Sequence, residues 1–138
     1  MTSPFFEHID HLGIAVANLA EAEARYTAMF GVEPYKREEV EREGVVTSFF
    51  QVGPNKIELL EATRPDSAIA KHIEKRGEGL HHVAYLVKDI RAEMARLREE
   101  GFQLLSEEPK PGADGMLVAF VHPKTAGGVL VELCQPKS

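Results

Sequence analysis

The two halves of this 138-residue chain repeat each other. His11 in HLGIAV and Glu58 in KIELLE return as His82 in HVAYLV and Glu132 in VLVELC, at offsets of 71 and 74 residues. Each copy sets one imidazole and one carboxylate into an apolar, strand-like run. Self-similarity at a fixed period points to two like modules, whose paired polar residues suggest one four-ligand metal site made by duplication.

The correspondence runs through the residues between these pairs. Each half opens on an apolar run, IDHLGIAVANL or LHHVAYLVKDI. Asn18 or Asp89 follows, again 71 apart, a residue type suited to an N-cap. Glu21, three residues after Asn18, fits a capping box. Helical stripes come next: Leu19, Ala22, Tyr26, Met29 and Phe30 in the first copy, Ile90, Met94 and Leu97 in the second. Gly31 and Gly101 suit left-handed helix stops.

A polar stretch follows each helix, EPYKREEVEREG or SEEPKPGADG, with a second strand expected near Tyr35 and near Leu104. Two further strands close each half, VVTSFFQV with KIELLE and MLVAFVH with GVLVEL. The pattern predicts βαβββ twice in one α+β domain over residues 1–138: module one at about 8–63, a linking helix at about 66–77 and module two at about 79–135. Pro65 and Asp66 favour the linking helix's start and Gly77 its stop.

Composition narrows the function. A formal net charge of −6 argues against a nucleic-acid binder, which needs a basic face. Cys134 is the one cysteine, so no internal disulfide forms, and a reducing compartment suits the chain. MTSPFFEHIDH lacks a basic segment followed by an apolar core, so no signal peptide is read. No apolar run approaches a membrane span. The expected setting is the cytoplasm, with neither membrane nor nucleic acid as a partner.

Strand alternation sets His11 on the face of Gly13 and Ala15, opposite Leu12, Ile14 and Val16. His82 shares a face with Ala84, opposite Val83, Tyr85 and Val87. Small neighbours leave room above both histidines. A carboxylate within an apolar strand must be neutralised, paired or bound to a metal. Two histidines and two carboxylates form an N₂O₂ set suited to Co²⁺, Mn²⁺, Ni²⁺, Fe²⁺ or Zn²⁺, with no choice among them.

These residues resemble the vicinal-oxygen-chelate (glyoxalase/bleomycin-resistance) superfamily, from about His8 to Gln135. Within it the blocks DHLGIAV, KIELLE…PDSAIAKHI, GEGLHHVAYLVKDI and EEPKPGADG…FVHPKTAGGVLVEL are similar to the methylmalonyl-CoA epimerases. The resemblance implies an open, cup-shaped mixed sheet around a divalent metal, cobalt foremost, with Mn²⁺, Ni²⁺, Zn²⁺ or Mg²⁺ as alternatives. The implied ligands are His11, Glu58, His82 and Glu132. The implied reaction is epimerisation at C2 of methylmalonyl-CoA, with Glu132 also in proton transfer, in a homodimer. Gly112, Gly115 and Lys124 are the implied contacts to the CoA thioester.

Some members carry a further carboxylate just after the GVV motif, where this chain has Thr47. The second acid/base is therefore open among Glu43, a metal-bound water and a substrate-assisted route. The four ligands alone would also serve a glyoxalase-like isomerase or lyase. A metal-free small-molecule binding protein is the non-enzymatic alternative. His81 and His122 read as structural histidines, His8 and His72 as peripheral, and Cys134 as an apolar filler.

Overall fold

The computed structural model describes residues 5–137. The fold is α+β, two tandem βαβββ modules with a helix between them. The described residues divide into two compact units, residues 11–81 and residues 5–10 with 82–137. Both boundaries fall inside strands, at Asp10/His11 and at His81/His82.

In the first unit, β1 (His8–Ala15) leads into α1 (Leu19–Phe30), then β2 (Lys36–Val40), β3 (Val45–Val52) and β4 (Asn55–Ala62). Their order is β2-β3-β4-β1, with β1 parallel to β4 and the other pairs antiparallel. The Asn18 side chain accepts the Glu21 N–H at 2.9 Å, one half of the expected capping box. Gly31 ends α1 with φ 76°, a left-handed conformation that glycine adopts without a Cβ penalty. Gly53 and Pro54 form the β3–β4 turn; Gly53 at φ 61° supplies the positive φ that a two-residue hairpin loop needs.

Leu19 and Ala22 are buried against Val16, Phe50 and Leu59, with Ile14, Tyr26 and Phe30 packed around them. Met29 departs from the expected stripe and is 65% exposed. It lies at the stripe's edge in the last turn, where Phe30 takes the contact with Phe50, the ring centroids 5.5 Å apart. The linking helix α2 (Ala68–Arg76) starts at Ser67, whose Oγ accepts the Ala70 N–H at 3.1 Å, and stops at Gly77. Its Ile69 is buried with Ala15, Val45 and Leu60 on the other face of the strands.

In the second unit, β5 (Gly79–Leu86), α3 (Ile90–Glu99), β6 (Lys110–Pro111), β7 (Met116–Val121) and β8 (Val131–Pro136) repeat the plan in the order β5-β8-β7-β6. Ile90, Met94 and Leu97 all enter the core with Val87, Ala119, Val121 and Leu133. Residues 5–10 belong to this unit: the Glu7 N–H donates to Leu86 O at 2.8 Å, and the Phe6 ring packs on Tyr85.

Two strand expectations need correction. The second strand of this module does not run from Leu104, which makes only an isolated bridge to Val121; the paired residues are Lys110 and Pro111. Pro109 and Pro111 lack the N–H donors that a longer ladder needs. The last strand begins at Val131 rather than Gly128, because Gly127 and Gly128 take φ of 72° and 94°, outside the strand region.

Candidate functional site

Each unit brings its own His–Glu pair together. In the first, β1 and β4 run parallel with Gly13 opposite Glu58 and His11 opposite Lys56. His11 and Glu58 therefore project from the same face of adjacent strands, and His11 Nδ1 lies 3.3 Å from Glu58 Oε2. In the second, Ala84 is opposite Glu132, and His82 Nε2 lies 3.0 Å from Glu132 Oε1. All four side chains are buried.

Buried imidazole and carboxylate this close form either a charge-assisted pair or two neighbouring ligands of one ion. Donor atoms about 3 Å apart match the edge of a coordination polyhedron with bonds of about 2.1 Å. Each unit's pair therefore has the donor chemistry of two ligands to a divalent metal. One pair presents Nδ1 and the other Nε2, so the two histidines are not used identically.

The pairings expose a third repeated residue that the motif reading passed over. Phe49 faces Glu58 across β3–β4, and Phe120 faces Glu132 across β7–β8. They lie 71 residues apart, the histidines' own offset. The Phe120 ring meets the His82 ring edge-on, centroids 5.9 Å apart, and Phe49 is fully buried. The repeated unit is thus His–Glu–Phe, with an aromatic wall beside each pair. Counting the 71-residue offset through VVTSFFQV and MLVAFVH would have found it.

The same face of the first unit carries more charge than the motifs indicated. Lys56 is on it and buried. Glu38 is directly opposite Thr47, and Lys36 is directly opposite Phe49. Lys36 Nζ sits 3.2 Å from Glu38 Oε1 and 5.1 Å from the Phe49 ring centroid. Thr47 is buried on this face, opposite Leu60. Glu43 instead lies exposed on a one-turn 3₁₀ helix, Glu41–Glu43.

The opposite face anchors the helix. Arg37 forms a two-pronged ion pair with Glu23 of α1, one contact (Nε to Oε2) at 2.8 Å, and the buried Ser48 hydroxyl donates to Glu23 Oε2 at 2.6 Å. The hydrogen bond from Arg37 is the largest influence holding the Glu23 carboxyl below its ordinary value, against the opposing effect of burial.

The remaining predicted residues fall as follows. The Gly112 N–H donates to Met116 O at 2.8 Å, and a Cβ there would meet Val118 at 2.8 Å, so Gly112 is built into the hairpin. Gly115 turns the chain with φ 69°. Lys124 is exposed, and its N–H donates to Nδ1 of His122, which caps the turn Pro123–Thr125. His81 stacks edge-on against His72 of α2 at 5.0 Å, and burial pushes the His72 imidazole below its ordinary value. Cys134 is buried and His8 exposed.

A family model for the Glyoxalase/Bleomycin resistance protein/Dioxygenase superfamily matches residues 10–120. The chain belongs to that superfamily. Within it the chain falls among the methylmalonyl-CoA epimerases, a family of enzymes. It is 42% identical over 129 residues to an ethylmalonyl-CoA/methylmalonyl-CoA epimerase of Cereibacter sphaeroides, covering 92% of this chain and 96% of that protein. It is 39% identical to the bovine mitochondrial methylmalonyl-CoA epimerase, covering 92% of this chain and 73% of that protein. The epimerase structure from Mycobacterium tuberculosis superposes with a TM-score of 0.94 at 34% identity, over 100% of this chain and 93% of that one. An epimerase solved with methylmalonyl-CoA and NH₄⁺ gives 0.92 at 37% identity, over 96% of each chain. Among the described residues no helix is long and apolar enough to cross a membrane.

Proposed function

We propose that this protein interconverts the C2 epimers of methylmalonyl-CoA, and that His11, Glu58, His82 and Glu132 hold one divalent ion for that reaction. The observation that carries the reading is the duplicated buried His–Glu pair, donor atoms 3.3 and 3.0 Å apart, in a member of the epimerase family. The 138 residues then act as a single domain, in the cytoplasm and as a homodimer.

The ion, cobalt by family resemblance with Mn²⁺, Ni²⁺, Zn²⁺ or Mg²⁺ as alternatives, supplies Lewis-acid polarisation of the thioester carbonyl, worth several kcal/mol. The chain does the rest. Burial of the four ligands and the two phenylalanine walls keeps water from the reacting carbon and strengthens local charge effects. Glu132 accepts or donates the C2 proton on one face. Loss of that proton leaves its electron pair delocalised into the thioester, and a proton returned on the other face inverts the centre. Gly115 and Lys124 contact the CoA thioester. Gly112 does so through its Cα and carbonyl, since its N–H is bonded to Met116. The ethylmalonyl homologue is the next substrate to try.

The test starts from one pure C2 epimer and follows the other. With added Co²⁺ the second epimer appears, and a chelator stops its formation. A protein that leaves the ester unchanged with every metal, yet turns a glutathione hemithioacetal into a thioester, is a glyoxalase-like isomerase instead. One that binds the ester without changing it is a binding protein.

A further inference from the structure

Inverting a carbon centre needs proton transfer on both of its faces, and Glu132 accounts for one. Resting on the epimerase reading above, the geometry points to Glu38 as the second acid/base: it shares its strand face with His11 and Glu58.

Register assigns that face without ambiguity. Residues directly opposite one another in adjacent strands project to the same side. Through the pairs Glu38–Thr47, Thr47–Leu60, Lys36–Phe49 and Phe49–Glu58, the face carries Lys36 and Glu38 of β2, Thr47 and Phe49 of β3, and Glu58 and Leu60 of β4. Glu38 and Glu58 are the carboxylates it presents among the described residues of β1 to β4. Glu39 and Glu61 belong to the other side, where Glu61 accepts the Leu19 N–H at 2.5 Å and caps α1. Glu43 is outside the strands altogether.

The separation suits the task. Glu38 and Glu58 are two strands and two residues apart, roughly 12 Å between Cα atoms from standard strand spacing. Two glutamate side chains and one carbon centre span that distance. Glu38 is half-buried, and its ion pair with Lys36 ties its carboxylate to the ammonium that lies over the Phe49 ring. Phe49 is the residue facing Glu58, so the pair leans toward the proposed ligand. Lys36 is then a positioning residue. In the reaction the C2–H bond breaks, the proton goes to a Glu38 carboxylate oxygen and the electron pair goes into the thioester; in the reverse direction Glu38 gives the proton back.

The experiment uses the full chain loaded with Co²⁺ and each C2 epimer separately in D₂O, following both deuterium at C2 and inversion. Wild type exchanges and inverts from either epimer. In Glu38→Gln, inversion falls by about a hundredfold or more, the usual worth of a positioned acid/base. One epimer still takes up deuterium with retention through Glu132, while the other no longer exchanges. Glu39→Gln, from the opposite face of the same strand, behaves as wild type and controls for folding of β2. Inversion by Glu38→Gln within threefold of wild type would overturn the assignment alone. So would equal loss of exchange from both epimers with Glu39→Gln intact. A wild-type protein that exchanges neither epimer would overturn the epimerase reading and this inference together.

Discussion

The two units solve one packing problem in opposite ways. Position 23 of α1 and position 94 of α3 are 71 residues apart, as are positions 48 and 119 on the strands beneath them. The first unit fills the place with Glu23 and Ser48, hydrogen-bonded to each other, with Glu23 also paired to Arg37. The second fills it with Met94 and Ala119, both buried in an apolar cluster. The functional faces diverge as well. Glu38 opposite Thr47 becomes Lys110 opposite Val118, on a two-residue strand. What both units keep is His, Glu and the facing Phe. Duplication has held the His–Glu–Phe trio fixed while the edge strands took separate chemistry and the helix contacts separate physics.

The largest effects should come from breaking what the units share. His11→Ala and His82→Ala should each lower epimerisation by about a thousandfold or more, a loss of several kcal/mol of charge stabilisation. Each should also lower bound metal in elemental analysis of the purified protein. Loss in only one variant would mean that the two pairs are not equivalent partners in one site.

Smaller effects separate the helix contacts. Met94→Ala should cost about 2–5 kcal/mol in urea unfolding, because a fully buried side chain leaves a cavity behind. Glu23→Gln should cost less, about 1–3 kcal/mol, through the weakened bonds to Ser48 and Arg37. Half of Arg37 is in solvent, which screens that pair. The Glu23 carboxyl is depressed in the folded chain, so its contribution is present above the ordinary glutamate value and lost as pH falls through the depressed one. The gap between wild type and Glu23→Gln should therefore close on acidification below about pH 4. Met29→Ala, at the exposed edge of α1, should change stability by under about 0.5 kcal/mol.

Much of this was legible in the residues. Asn18 and Asp89 cap their helices because short polar side chains reach back to the first free N–H groups, whereas α2 takes its cap from Ser67, which the reading of Pro65 and Asp66 as the start had passed over. Strand alternation set His11 away from α1 and His82 away from α3, and the pairings agree. The second strand of the second module was not legible, since two prolines and a run of charge carry no period. Glu38 was hidden for another reason. Within REEVERE every acid looks alike, and only the register of β2 against β3 tells which one faces Glu58's side of the sheet. The exposure of Met29 depended on which last-turn residue met Phe50; Phe30 does, and periodicity does not choose between adjacent members of a stripe.

The central claim is metal-assisted exchange at C2 by the duplicated pairs. Its most direct measurement is nuclear magnetic resonance of methylmalonyl-CoA in D₂O with the full-length protein, its metal content known. Deuterium should enter C2 with a divalent ion bound, cease entering after chelation and resume when Co²⁺ is restored. Full C2 protonation with every metal tried, in a folded protein, would contradict it.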